Sequence, residues 1–170
     1  MRPTLATIGV AIASIPQNVL AQIRIVSPNS AIQLFKDTHG TIQGSTSVFG
    51  TPYYGDKMMG QLSYGESKDS QKPFCQDDYE MKTFDQNEND EDISGHIVIP
   101  IVTRDGCPIA KKVLVAQQKG AHAVVVVDSA SSTLTEATIG DAIVTKRIGE
   151  NQEDIDQITI PSLLVTHITG

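Results

Sequence analysis

Between Arg104 and Asp128 the chain reads R-D-G-C-P-I-A-K-K-V-L-V-A-Q-Q-K-G-A-H-A-V-V-V-V-D, and this passage restricts the fold more than any other. Pro108 suits the first turn of a helix, where a missing N–H costs nothing, and Gly120 suits the position just past its end. The bracket spans about three helical turns. Within it Ile109, Val113 and Ala116 recur at helical spacing beside Leu114, so one stripe packs. Lys111, Lys112, Gln118 and Lys119 are expected on the wet side. The run Ala123 to Val127 is continuous, apolar and β-branched, and Ile97-Val98-Ile99-Pro100-Ile101-Val102 upstream has the same character. Two such strands joined through a helix predict a βαβ crossover and an α/β domain.

A length of 170 residues allows one domain with a real core. With 13 basic and 20 acidic residues the net charge is −7. That balance argues against nucleic acid or an anionic membrane as partner and favours cationic segments of other proteins.

Residues 1–21 carry Arg2, an apolar run from Leu5 to Ile15, and Val19-Leu20-Ala21, a small-x-small pattern. They are expected to be a signal peptide cut after Ala21, with the domain occupying residues 22–170; the alternatives are an N-terminal core strand or an anchor helix, against which stand the Pro16-Gln17-Asn18 interruption and an apolar run short of the ~18 residues a span needs. Gln22 to Ser27 alternates as an opening strand, turned by Pro28-Asn29-Ser30. From Phe49 to Leu62 glycine punctuation predicts a loop followed by a strand. The acidic run Asp85 to Asp92 fails as an EF-hand, since Asp90 stands where the turn needs Gly and His96 where a bidentate Glu is needed. It is expected to be a solvated loop, and no metal or cofactor is implied. Ser129 to Gln157 reads as a polar linker, with Thr133 to Ala137 either loop or short helix.

The string Arg-Asp-Gly-Cys-Pro-Ile-Ala-x-Lys followed by Ala-Gln-Gln-Lys-Gly-Ala-His-Ala-Val resembles the core of the protease-associated domain, R-G-x-C-P-F-x-x-K with A-x-x-x-G-A-x-A-V downstream. The string F-G-x-P-x-Y-G-x-x-M-x-G, from Phe49 to Gly60, is similar to the segment opening the luminal region of vacuolar sorting receptors. Phe74 to Tyr79 and Ile158 to Val165 match in order, so the resemblance spans about residues 22 to 166. It implies a compact, mixed, barrel-like sheet flanked by the Pro108–Lys119 helix and shorter helices. It also implies a non-catalytic domain that binds sorting peptides of soluble cargo in the lumen of the Golgi, endosome or vacuole. This segment would make no membrane contact, although full-length receptors cross the membrane once. Family members continue into further modules, so the chain is expected to be a fragment ending at Gly170. The alternative is an accessory domain of a secreted or membrane hydrolase, or of a transmembrane RING ubiquitin ligase.

No G-x-S-x-G or H-E-x-x-H motif is present, and His39, His96, His122 and His167 are scattered, so no catalytic residue is named. Two cysteines behind a signal peptide suggest one disulfide, Cys75 to Cys107, while a reactive thiol at Cys107 near a helix N-terminus is the sharper alternative. Arg104 sits ahead of that helix, where a guanidinium and backbone N–H groups can hold a carboxylate or peptide carbonyl; alternatively it pairs with Asp105 or a neighbouring acid. In the receptors the corresponding R-G-D-C loop contacts cargo, which makes Arg104, Asp105, Gly106, Cys107 and Asp128 the candidate peptide-binding set. Here the order is Arg-Asp-Gly-Cys, with Gly and Asp exchanged, and Pro108-Ile109 replaces an aromatic pair. Removing Arg104 is expected to abolish binding and leave the fold intact. Release of cargo in acidic compartments would need a titrating group near the loop, for which His122 is preferred to His96.

Overall fold

The computed structural model of the chain describes residues 20–47, 49, 50, 57–64, 74, 75, 97–133, 135 and 152–167. In chain order the elements are β1 (Leu20–Arg24), α1 (Asn29–Leu34), a 3-10 turn (Lys36–Thr38), β2 (Thr41–Thr46), β3 (Gln61–Tyr64), β4 (Val98–Thr103), α2 (Ile109–Gln118), β5 (Val124–Val127), α3 (Gln152–Gln157) and β6 (Ser162–Val165). Most of the expected leader, the acidic run 85–92, residues 51–56 of the glycine-punctuated stretch and most of 133–137 lie outside the described residues.

One mixed sheet, ordered β1-β2-β6-β5-β4-β3, curls into half a barrel. From β3 to β6 the neighbours are parallel, whereas β1 and β2 are added antiparallel. The βαβ crossover is present: β4 and β5 pair in parallel, and α2 connects them. Pro100 is tolerated inside β4 because the ladder with β5 begins only at Ile101, beyond the missing N–H.

The helix ends as its punctuation implies. Gly120 takes φ 89, open to glycine at no steric cost. Its N–H donates to the Gln117 carbonyl at 2.9 Å, and the Ala121 N–H donates to the Ala116 carbonyl at 3.0 Å, together closing a Schellman turn. Val113 and Ala116 pack with Ala110 and Leu114 against Val102, Val124, Val126 and Leu164, so the core lies between α2 and the parallel half of the sheet.

Three expectations change. The opening strand is Leu20–Arg24, not Gln22–Ser27, because the chain must leave the sheet before α1 begins at Asn29. A helix, α3, occupies 152–157 inside the expected linker, and its Ile155 packs on the core. The segment is held by Gln117 of α2, whose Oε1 accepts from the Thr159 N–H at 2.7 Å and whose Nε2 donates to the Gln157 carbonyl at 2.9 Å. The third concerns Lys112, which is fully buried instead of wet.

Candidate functional site

Parallel strands end on the same side of a sheet, so the loop after β4 and the loop after β5 emerge together, at the carboxyl edge where open α/β sheets place their crevices. The register pairs Thr103 with Val127, which makes Arg104 and Asp128 the first residues out. The Arg104 N–H donates to the Val127 carbonyl at 2.9 Å, and its Nη1 donates to Asp128 Oδ1 at 2.8 Å. Gly106 then takes φ 98, a left-handed turn that aims Cys107 and Pro108 toward the start of α2.

The two loops border an open, shallow concavity of about 580 Å³, lined by Arg104, Asp105, Gly106, Cys107, Pro108, Asp128, Ser129, Ser131 and Ser132. All five candidate residues line it. After β5 the serines form a tight turn, with the Ser132 N–H donating to the Ser129 carbonyl at 2.9 Å and the Ser129 and Ser131 hydroxyls 3.0 Å apart.

Asp128 is buried to 2% exposure. Burial pushes its carboxyl up, but the Ser132 hydroxyl, the Arg104 guanidinium and the Ser129 backbone N–H outweigh that and hold it below 3.8. Among the described residues Oδ2 has no well-aligned donor of its own. The acid paired with Arg104 is therefore Asp128, 24 residues away, and not Asp105. An Arg that neutralises a buried carboxylate also supports the fold, so its removal is expected to cost stability as well as binding.

Cys75 and Cys107 are joined, with Cα atoms 5.8 Å apart. That excludes a free reactive thiol at Cys107 in this state and ties the far end of the loop to Phe74, a core residue.

Lys112 is the residue that helical periodicity missed. Its ammonium passes under the loop and donates to the Thr103 carbonyl at 2.6 Å and to the Asp105 carbonyl. Burial lowers its pKa from 10.5 to about 8, opposed by the nearby Asp105 carboxylate. A signal existed, since the family string itself ends on this lysine.

The sign of the pH effect follows. Below about pH 8 the amine is charged in the folded and unfolded chains alike, and the full cost of burying it is present. Between about 8 and 10.5 the folded chain sheds the proton first, so its stability rises through that window. Relative to Lys112→Met, the wild-type protein is expected to gain on the order of 3 kcal/mol there, read by urea unfolding at stepped pH. Parallel pH slopes for the two proteins would contradict a buried amine.

His122 does not belong to this site. Its N–H donates to the Val98 carbonyl at 3.1 Å, at the opposite end of β4 and β5 from Asp128. At about 3.3 Å per strand residue the separation is roughly 20 Å, so His122 is not the titrating group near the loop; His96 lies outside the described residues.

Among the described residues no group of His, Cys, Asp or Glu is arranged to hold a metal ion, and no helix is long and apolar enough to cross a membrane. The family profile of the PA domain matches residues 58–170. No curated protein sequence matches the chain. Strands β1 and β2 precede the matched range yet pair into the same sheet.

Proposed function

The chain belongs to the PA domain family, and from that premise we propose that it is a non-catalytic module that captures peptide segments of other proteins in the Arg104 concavity. The carrying observation is convergence. Arg104, Asp105, Gly106, Cys107 and Asp128, drawn from two loops separated by α2 and β5, line one surface depression. Its chemistry suits a peptide main chain. Arg104 has five N–H donors, and the bond to Asp128 leaves others for a carbonyl. Serines of the other loop line it, and the Arg104 charge is already balanced by Asp128. A free carboxylate, one of the ligands the sequence suggested, has less to gain here than an uncharged peptide group.

A vacuolar or lysosomal sorting receptor is the specific setting we favour, with soluble cargo as partner and residues 1–21 as its cleaved leader, a cut that takes Leu20 and Ala21 off the start of β1 and leaves Gln22 to Arg24 paired with β2. The supporting feature is the Phe49 to Gly60 string, which resembles the opening of those receptors' luminal region. A disulfide and a PA domain both fit an extracellular or luminal location. The broader reading is a protease-associated accessory domain.

Titrating extended peptides into isotope-labelled protein tests the site. Amide resonances of Asp105, Gly106 and Ser129 to Ser132 are expected to move together. Arg104→Lys keeps a cation beside Asp128 but loses the planar fork, and is expected to weaken binding by about 1.5–3 kcal/mol, roughly ten-fold to over a hundred-fold. Perturbations confined to another face, or unaltered affinity in Arg104→Lys, would remove the concavity as the binding site.

A further inference from the structure

Lys112 is wholly enclosed, and the apolar residues around it on α2 need no ammonium to complete the core. Its two acceptors are informative. The Thr103 carbonyl belongs to the peptide plane that leads into Arg104, and the Asp105 carbonyl to the plane that leaves Asp105. The first plane is held on both edges, its oxygen by Lys112 and its N–H, that of Arg104, by the Val127 carbonyl. Between these fixed planes the backbone of Arg104 and Asp105 has little freedom. The root of the Arg104 side chain is thereby fixed, and its stem starts from one place to reach Asp128 and the concavity.

We infer that Lys112 is the positioning residue of the Arg104 site, acting on a bound peptide through Arg104 and never touching it. The inference rests on the peptide-binding reading for its ligand, but not for its geometry. A neutral amine still carries two N–H groups, so the clamp survives deprotonation and a pH profile of binding is not its signature. Coupling to Arg104 is. A lysine that served only the core would leave the Arg104–Asp128 pair undisturbed when replaced.

The Asp128 carboxylate reports on that pair and can be titrated by carbon NMR in the wild type, Lys112→Met, Arg104→Ala and the double variant. Lys112→Met is expected to raise the Asp128 pKa, in the direction that Arg104→Ala raises it. In the Arg104→Ala background the same substitution is expected to add no further rise, the non-additivity of residues that act as a unit. Affinity for any peptide found in the titration above is expected to fall roughly ten-fold or more in folded Lys112→Met, as for a misplaced binding group. Unchanged Asp128 titration in folded Lys112→Met overturns the inference. So does a rise that persists without Arg104, which would be the direct loss of a charge. Should Lys112→Met not fold, Lys112→Gln, neutral and shorter, carries the same cycle. A wild-type protein that binds no peptide refutes the functional reading, while the Asp128 titration still decides the role of Lys112.

Discussion

Arg104→Ala is expected to weaken the fold by about 3 kcal/mol at neutral pH, because removing one member of a buried ion pair strands the other charge. Complete burial of both partners would put the cost nearer 5 kcal/mol. The lower figure applies because the Arg104 side chain is 14% exposed and the Ser129 and Ser132 donors remain with Asp128. The effect carries a pH signature. Asp128 is held below its ordinary 3.8, so its stabilising contribution is complete above that value and is lost as pH falls through the folded pKa. In Arg104→Ala burial acts on the carboxyl with less opposition, its pKa rises, and protonation relieves the stranded charge at a higher pH. The deficit relative to wild type is therefore expected to be largest near neutrality and to shrink as the medium is acidified toward pH 4 and below. Urea unfolding of both proteins at several pH values measures it. A deficit constant with pH would show that the guanidinium serves only through packing. Because stability changes, peptide affinities of Arg104 variants need correction for the folded fraction, and the milder Arg104→Lys is the better probe of binding.

The parts of this architecture legible in the sequence were those set by local chemistry. Pro108 and Gly120 bracket α2 because a residue without an N–H and a residue free at positive φ each tolerate one end of a helix. The β-branched runs point to β4 and β5; β5 is buried along most of its length, matching its unbroken apolarity, while β4 alternates between fully and partly buried positions. The strand β2, Thr41–Thr46, was not anticipated. Its sequence T-I-Q-G-S-T carries neither an apolar run nor clear alternation, and it is a strand because β1 and β6 pair with it from either side.

At the site the same division holds. The family string located the loop, while the partner of Arg104 depended on the parallel register that sets Thr103 beside Val127. Lys112 was misjudged because helical periodicity counts a lysine as polar without asking where its long stem ends. Here it ends on two carbonyls of a loop, which can be met inside the protein only by a donor.

The disulfide sets the second large effect. Replacing both cysteines, Cys75→Ala with Cys107→Ala, is expected to cost up to about 3.7 kcal/mol, the unfolded-chain entropy released when a loop of this length is no longer closed. The sequence separation behind that figure is 32. For a domain of this size each kcal/mol moves the midpoint by about 2–4 °C, so Tm is expected to fall by roughly 7–15 °C. Two features argue for the upper part of that range. Phe74, beside Cys75, is a core residue at 1% exposure, so the tether's far end is firmly seated. Cys107 lies between Gly106 and Pro108, so the tether also fixes the loop where it turns into α2. The first half of the loop has other supports, the Lys112 clamp and the Arg104 bonds to Val127 and Asp128. Loss of the disulfide is therefore expected to lower stability more than it disturbs Arg104, and peptide affinity per folded molecule should change less than when Lys112 is replaced. Calorimetric melts of the double variant under non-reducing conditions, run beside peptide titrations, separate the two quantities. A melting temperature within a few degrees of wild type would mean that the native bond is strained by nearly as much as loop closure gains. A collapse of affinity with little loss of stability would move the main support of the loop from Lys112 to Cys107.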